Sequence, residues 1–190
     1  QLQAQQARAL LKAPALAARR GALHDQLLAV LPFSLTAAQR RVAEEIAADL
    51  ARGLPMHRLL QGDVGSGKTV VAALAAAIAM DAGWQCALMA PTEIWAEQHF
   101  RKLVQWLEPL GVTVAWLIGS RKGKQRTAML ERVASGQAGL VVGTHAVIQD
   151  DVHFARLGLA IIDEQHRFGV QQRLALRRKL VDRGAAPGHP

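Results

Sequence analysis

Residues 62–69 read Gly62-Asp63-Val64-Gly65-Ser66-Gly67-Lys68-Thr69, between a short apolar run at 58–60 and an apolar stretch at 70–80. This is the phosphate-loop pattern, G-x-x-x-x-G-K followed by S or T, in a strand–turn–helix setting. Each residue type has a physical reason. Glycines let backbone N–H groups approach phosphate oxygens, and the positive end of the following helix points at the anion. Lys68 is placed to reach the β- and γ-phosphates of a nucleotide, and the Thr69 hydroxyl to ligate Mg2+. A chain with this loop needs a buried strand to enter it and a helix to leave it.

The remainder repeats that alternation. The stretch at 70–80 is eleven residues long and ends at Asp81, whereas a membrane span takes roughly 20, so it reads as a buried helix. Helix signals follow Ser34 to about residue 52, then cover 93–107, 125–134 and 170–180. Short apolar runs at 86–90, 112–118, 140–142 and 159–162 read as strands. Buried strands alternating with longer helices imply βαβ units, and hence an α/β fold with a mainly parallel sheet flanked by helices. Ligands on such sheets bind beyond the carboxyl ends of the strands, where each polar cluster falls.

A nucleotide site also needs an acid at the end of a second apolar strand. Leu159-Ala160-Ile161-Ile162-Asp163-Glu164 supplies one. Asp163 is expected to hold Mg2+ and Glu164 to orient the attacking water.

Composition sets the remaining bounds. A chain of 190 residues, 51% hydrophobic and 20% charged, has material for one packed domain and excludes disorder over most of its length. The single Cys86 excludes an internal disulfide and suits a reducing compartment. No charged-then-apolar leader opens the chain, so a cytoplasmic location is expected. Gln1 stands where an initiator Met would, so a piece of a longer polypeptide is expected. Residues 1–33 read as two helical pieces too short for a core of their own, 1–20 and 22–31. They form an N-terminal helical linker, with the domain proper at 34–190. The net charge of +8 lies outside residues 34–110, which points to a polyanionic partner such as nucleic acid.

Asp163-Glu164-Gln165-His166 extends the acidic pair to a DExH word, which resembles the second helicase superfamily. Residues 61–69, Ala90-Pro91-Thr92-Glu93, Ala96-Glu97-Gln98-His99, Gly143-Thr144-His145-Ala146 and 161–173 together resemble the RecG family of bacterial branched-DNA helicases. Leu31-Pro32-Phe33 with Leu35-Thr36 and Ala38-Gln39 resembles the entry to that family's motor. The resemblance runs from about residue 28 to 180 without visible gaps. It implies the first RecA-like motor lobe of an ATP-dependent DNA helicase that acts on replication forks and recombination junctions, with ATP and Mg2+ as cofactors. The second motor lobe, with its arginine finger, and the N-terminal wedge domain are expected elsewhere in the same polypeptide, so this lobe alone should be near-inactive as an ATP hydrolase. The transcription-repair coupling translocase shares much of the wording and is the within-family alternative. A nucleotide-binding module without activity of its own is the alternative of another class.

The resemblance also assigns residues, and each assignment has a competitor. Catalysis falls to Lys68, Asp163, Glu164, Gln165 and His166. Gln39 joins the ATP site at the adenine edge, although its spacing from Thr36 equally makes a capping box. Thr92, Gln98 and His99 fall in a motif that contacts the DNA backbone; a solvated helix face competes for the last two. Thr144 is a phosphate contact or an N-cap. His145 is a DNA contact or a buried polar residue. Arg121, Lys122, Lys124 and Arg126 form a basic loop with Gly119 and Gly123, which either neutralises phosphates or is simply solvated. Trp84, Trp95, Trp106 and Trp116 are expected to pack rather than stack on bases. Ile94-Trp95 departs from the family's usual Leu-Leu, a core-like change.

Overall fold

The computed structural model describes residues 22–51, 56–60, 66–119, 123–163 and 169–185. In chain order the elements are α1 (Ala22–Val30), α2 (Ala37–Ala51), β1 (Met56–Leu60), α3 (Ser66–Asp81), β2 (Gln85–Met89) and α4 (Glu93–Leu107). There follow β3 (Thr113–Leu117), α5 (Lys124–Ser135), β4 (Ala138–Gly143), β5 (Leu157–Asp163) and α6 (Val170–Ala185). Every strand and helix expected within the described residues is present, with ends that move by a few residues. The helical piece expected at 1–20 lies outside the described residues.

The strands form one five-stranded sheet in the order β1-β5-β2-β4-β3, and every neighbouring pair is parallel. Strand residues alternate between two cores, as the period of two requires. Cys86, Leu88, Leu140, Val142, Leu159 and Ile161 face α1 to α4. Ala87, Met89, Val141, Ala160 and Ile162 face α5 and α6. Both faces are covered, which is why the strands read as continuous apolar runs rather than alternating ones. Six alanines of α3 are buried, and their small side chains let this helix lie close against the sheet.

Register places the strand ends level. Leu60 pairs with Asp163, Met89 with Ile162 and with Gly143, and Leu117 with Gly143. Beyond this common carboxyl edge come the first turn of α3, Thr92, Gly119 and Thr144. Gly143 marks the tightest approach: a Cβ there would run into the Leu117 carbonyl. The opposite edge is held by buried Gln85. Its Nε2 donates to the Val133 and Ala138 carbonyls, both at 2.9 Å, and its Oε1 accepts the Arg156 N–H at 2.7 Å.

The described part of the expected linker is built into the lobe. Leu23 and Leu27 of α1 are buried in the same core as α3. The Asp81 carboxylate, at the end of α3, accepts the His24 N–H at 3.1 Å. Nine residues cannot make a core, but two leucines on one helix face can complete a neighbour's.

Candidate nucleotide site

The chain folds back on itself at the carboxyl edge of β1 and β5. The first turn of α3 carries Lys68 and Thr69, and Asp163 is the last residue of β5. Lys68 Nζ donates to Asp163 Oδ1 at 3.3 Å across 95 residues of sequence. Both are buried, with Asp163 at 0% exposure. A desolvated ion pair of this kind holds together only because each charge answers the other.

His99, on α4, completes the cluster. Its Nε2 lies 3.2 Å from Asp163 Oδ2 and its Nδ1 lies 2.9 Å from Thr69 Oγ1. It is 5% exposed, and burial, more than any neighbour, holds its pKa below the usual histidine value. This corrects the expectation of a DNA-facing His99. Residues 96, 99, 103 and 106 form the buried stripe of α4, and position 99 turns inward with them. That stripe was the available signal.

Gln39 sits beside the first turn of α3. Its Oε1 accepts the Thr36 N–H at 2.9 Å, and Thr36 Oγ1 accepts the Gln39 N–H at 3.1 Å. The reciprocal capping box is therefore formed. Gln39 Nε2 also reaches the Gly67 carbonyl, at a long 3.5 Å. The amide keeps one N–H and one lone pair for another partner. Gly62, Asp63, Val64, Gly65, Glu164, Gln165 and His166, with the Ser66 side chain, lie outside the described residues.

The residues expected at DNA scatter along the same edge. Thr92 is exposed and caps α4, accepting the Trp95 N–H at 3.3 Å. Gln98 is exposed on α4. Thr144 is buried, and its hydroxyl accepts the Ala146 N–H at 3.4 Å, so of its two readings the cap is the one formed. His145 is exposed, which removes the buried-polar reading. Lys124 and Arg126 belong to the first turn of α5 rather than to a loop, because the helix begins at Lys124. Arg126 is already paired: its Nη2 lies 3.0 and 2.9 Å from the two Asp151 carboxylate oxygens and 3.3 Å from Gln149 Oε1. Arg121 and Lys122 lie outside the described residues.

One cavity of about 270 Å3 opens beside the cluster, lined by Trp95, Gln98, Arg101 and Lys102 together with Lys68, Thr69, His99 and Asp163. Trp95, Arg101 and Lys102 were not expected there. The i, i+4 spacing of Trp95 and His99 puts them on one helix face. Ile94 is 69% exposed, whereas Trp95 is half-buried and packs against the core, so only the Trp95 half of the Ile94-Trp95 change is core-like. All four tryptophans pack: Trp95 against the main core, Trp116 against Phe100, Trp106 against Phe33, and Trp84 under the Arg156 guanidinium. A larger apolar cavity of about 800 Å3 lies elsewhere, between α1, α2 and the end of α3.

Thr69 and Asp163 offer hydroxyl and carboxylate oxygens, the hard donors that suit Mg2+. Among the described residues, no group of three or more His, Cys, Asp or Glu side chains could hold a metal alone. Such a donor set suits an ion that arrives with a nucleotide's own oxygens. No helix among the described residues is long and apolar enough to cross a membrane.

This chain is similar to known proteins in sequence and in fold. The chain is 58% identical over 166 residues to the ATP-dependent DNA helicase RecG of Escherichia coli O157:H7, covering 87% of this chain and 24% of that protein. It is 58% identical over 152 residues to RecG of Bacillus subtilis strain 168, covering 80% of this chain and 22% of that protein. The chain thus spans about a quarter of the length of these relatives. A solved structure of RecG bound to a three-way DNA junction superposes with a TM-score of 0.70 at 49% identity, over 79% of this chain and 21% of that one. A hypothetical ATP-dependent RNA helicase from Sulfolobus tokodaii shares the fold at a TM-score of 0.52 and 13% identity, over 84% of this chain and 54% of that one. The mainly parallel sheet with flanking helices is the RecA-like helicase fold of these neighbours. A family model described as DEAD/DEAH box helicase matches residues 36–187, and with the Lys68–Asp163 site inside that span, this chain belongs to the DEAD/DEAH box helicase family.

Proposed function

We propose that this chain is the ATP-binding first motor lobe of an ATP-dependent DNA helicase that acts on branched DNA. The observation that carries the nucleotide part is the meeting of Lys68, Thr69 and Asp163 at the carboxyl edge of β1 and β5. Support for the DNA part comes from the relatives named RecG and from the structure of one on a three-way junction. A cytoplasmic location fits the one thiol, Cys86, which is buried and free.

Lys68 carries the cationic charge for the β- and γ-phosphates, held against Asp163 until a nucleotide takes it over. Thr69 and Asp163 would hold Mg2+, which when bound neutralises charge on the transferring phosphoryl group. Glu164, next along the chain from Asp163, orients the attacking water, with Gln165 and His166 completing the DExH word. Gln39 can cap α2 and still offer its remaining N–H and lone pair to an adenine edge. Thr92, Gln98, Lys124 and His145, with Arg121 and Lys122, are the candidates for backbone contacts to DNA.

The test separates binding from turnover in the intact protein. Lys68→Ala should lose both ATP affinity, by calorimetry, and forked-DNA unwinding. Glu164→Gln should keep ATP affinity and lose turnover, because an amide cannot act as the base. Equal loss of affinity in both variants would contradict the separate roles. Equal unwinding of forked and plain duplex substrates would remove the branched-DNA assignment.

A further inference from the structure

We infer that His99 is a positioning residue of the nucleotide site, an imidazole that fixes the orientation of both oxygens this chain offers to Mg2+. The inference rests on the nucleotide reading above and adds a residue to it.

The hydrogen bonds allow one tautomer. Asp163 Oδ2, as part of a carboxylate, can only accept, so His99 Nε2 at 3.2 Å must carry the proton and donate. A neutral imidazole has one N–H, so Nδ1 is then an acceptor, and the Thr69 hydroxyl at 2.9 Å donates to it. Both consequences favour metal binding. The Thr69 proton is turned toward α4, which leaves its oxygen lone pairs for a cation. Oδ2 of Asp163 is held by His99, while Oδ1 faces Lys68 at 3.3 Å, the group that a phosphate would draw away. One side chain thus orients two ligands that lie 94 residues apart in the chain.

Placement reinforces the assignment. His99 projects from α4, whose first turn is capped by Thr92 at the same sheet edge. It is buried at 5% exposure, and each ring nitrogen already has a partner, Asp163 on one side and Thr69 on the other. Groups that orient metal ligands in this way typically contribute 10- to 100-fold in metal affinity or activity.

The experiment measures binding of a fluorescent ATP analogue to the intact protein, with Mg2+ and with EDTA. Its variants are His99→Leu, which removes both hydrogen bonds, and His99→Gln, whose amide N–H can replace Nε2. The expected result is unchanged affinity in EDTA, with the Mg2+-dependent gain in affinity cut by roughly 10-fold or more in His99→Leu and partly restored in His99→Gln. An unchanged gain in His99→Leu overturns the inference, as does an equal loss with and without Mg2+, which would mean a structural role only. Nitrogen-15 NMR of the wild-type ring reads the tautomer without any substitution: an Nδ1–H form overturns the inference even if His99→Leu fails to fold. Wild-type protein whose ATP-analogue affinity ignores Mg2+ would instead remove the magnesium reading of the site, and this inference with it.

Discussion

Leu60 and Asp163 are directly paired residues on adjacent parallel strands. In sequence the glycine-rich phosphate-loop word follows the first, and the second opens the acidic word. One register therefore brings the lysine of one motif to the carboxylate of the other, and a slip of one residue would turn Asp163 to the opposite face of the sheet. The Lys68–Asp163 bond at 3.3 Å is the product of that register.

Coupling between these two side chains should be measurable in the nucleotide-free chain. Removing one partner of a buried pair typically costs about 3–5 kcal/mol, and His99 still holds Asp163 here, so the lower end is expected. In a double-mutant cycle of Lys68→Ala and Asp163→Asn, urea unfolding should show a coupling of about 1–3 kcal/mol. Strict additivity would mean that the charges do not sense each other.

Thr36 and Gln39 separate a structural role from a recognition role. Either Thr36→Ala or Gln39→Ala breaks the reciprocal cap, and each should lower stability by about 1 kcal/mol. If Gln39 also meets adenine, only Gln39→Ala should narrow the preference for ATP over a pyrimidine triphosphate. Matching triphosphate preferences in the two variants would leave Gln39 as a cap alone.

The sheet and the two ends of the candidate nucleotide site were legible because their signals are local. A glycine run between apolar stretches, and an apolar run ending in Asp163, each announce themselves within ten residues. His99 was misread, although the apolar stripe of α4 offered a signal. A histidine among Glu97, Gln98 and Arg101 reads as solvated surface, and only the buried stripe of α4 turns it inward. Its carboxylate partner lies 64 residues away, a distance that periodicity cannot span. The Arg126–Asp151 pair escaped for the same reason. The role of α1 was hidden because Leu23 and Leu27 complete a core whose other side belongs to α3.

Asp81 should give the chain a specific pH dependence. It is buried, its Oδ1 has no hydrogen-bond partner among the described residues, and burial is the first cause raising its pKa above 3.8. A raised carboxyl pKa means the folded state binds more protons than the unfolded state between the two values. Stability from this group is therefore full below 3.8 and is lost as pH rises through the folded value. Asp81→Asn keeps an oxygen for the His24 N–H and removes the charge. It should raise the melting temperature at pH 7, and the gain over wild type should shrink as pH falls toward 4. A gain independent of pH would show that burial of charge is not the cause.

The basic residues around the start of α5 include one that is already paired and one that is exposed. Arg126 is bonded to both oxygens of Asp151, so that pair adds nothing to the field met by an approaching phosphate. Lys124 is exposed at the helix start, and Arg121 and Lys122 precede it in sequence. Each phosphate neutralised by a free cation contributes a slope of about −0.7 to −0.9 in log K against log salt. On single-stranded and forked DNA, the triple variant Arg121→Ala, Lys122→Ala and Lys124→Ala should flatten that slope and weaken all sequences alike. Arg126→Ala alone should leave the slope where it was, and Asp151→Ala should steepen it by freeing the guanidinium. Fluorescence anisotropy across a salt series reads all three. If Arg126→Ala flattens the slope by a full phosphate's worth, then Arg126 leaves Asp151 for the DNA backbone on binding. An unchanged slope in the triple variant would move the DNA path to Thr92, Gln98 and His145.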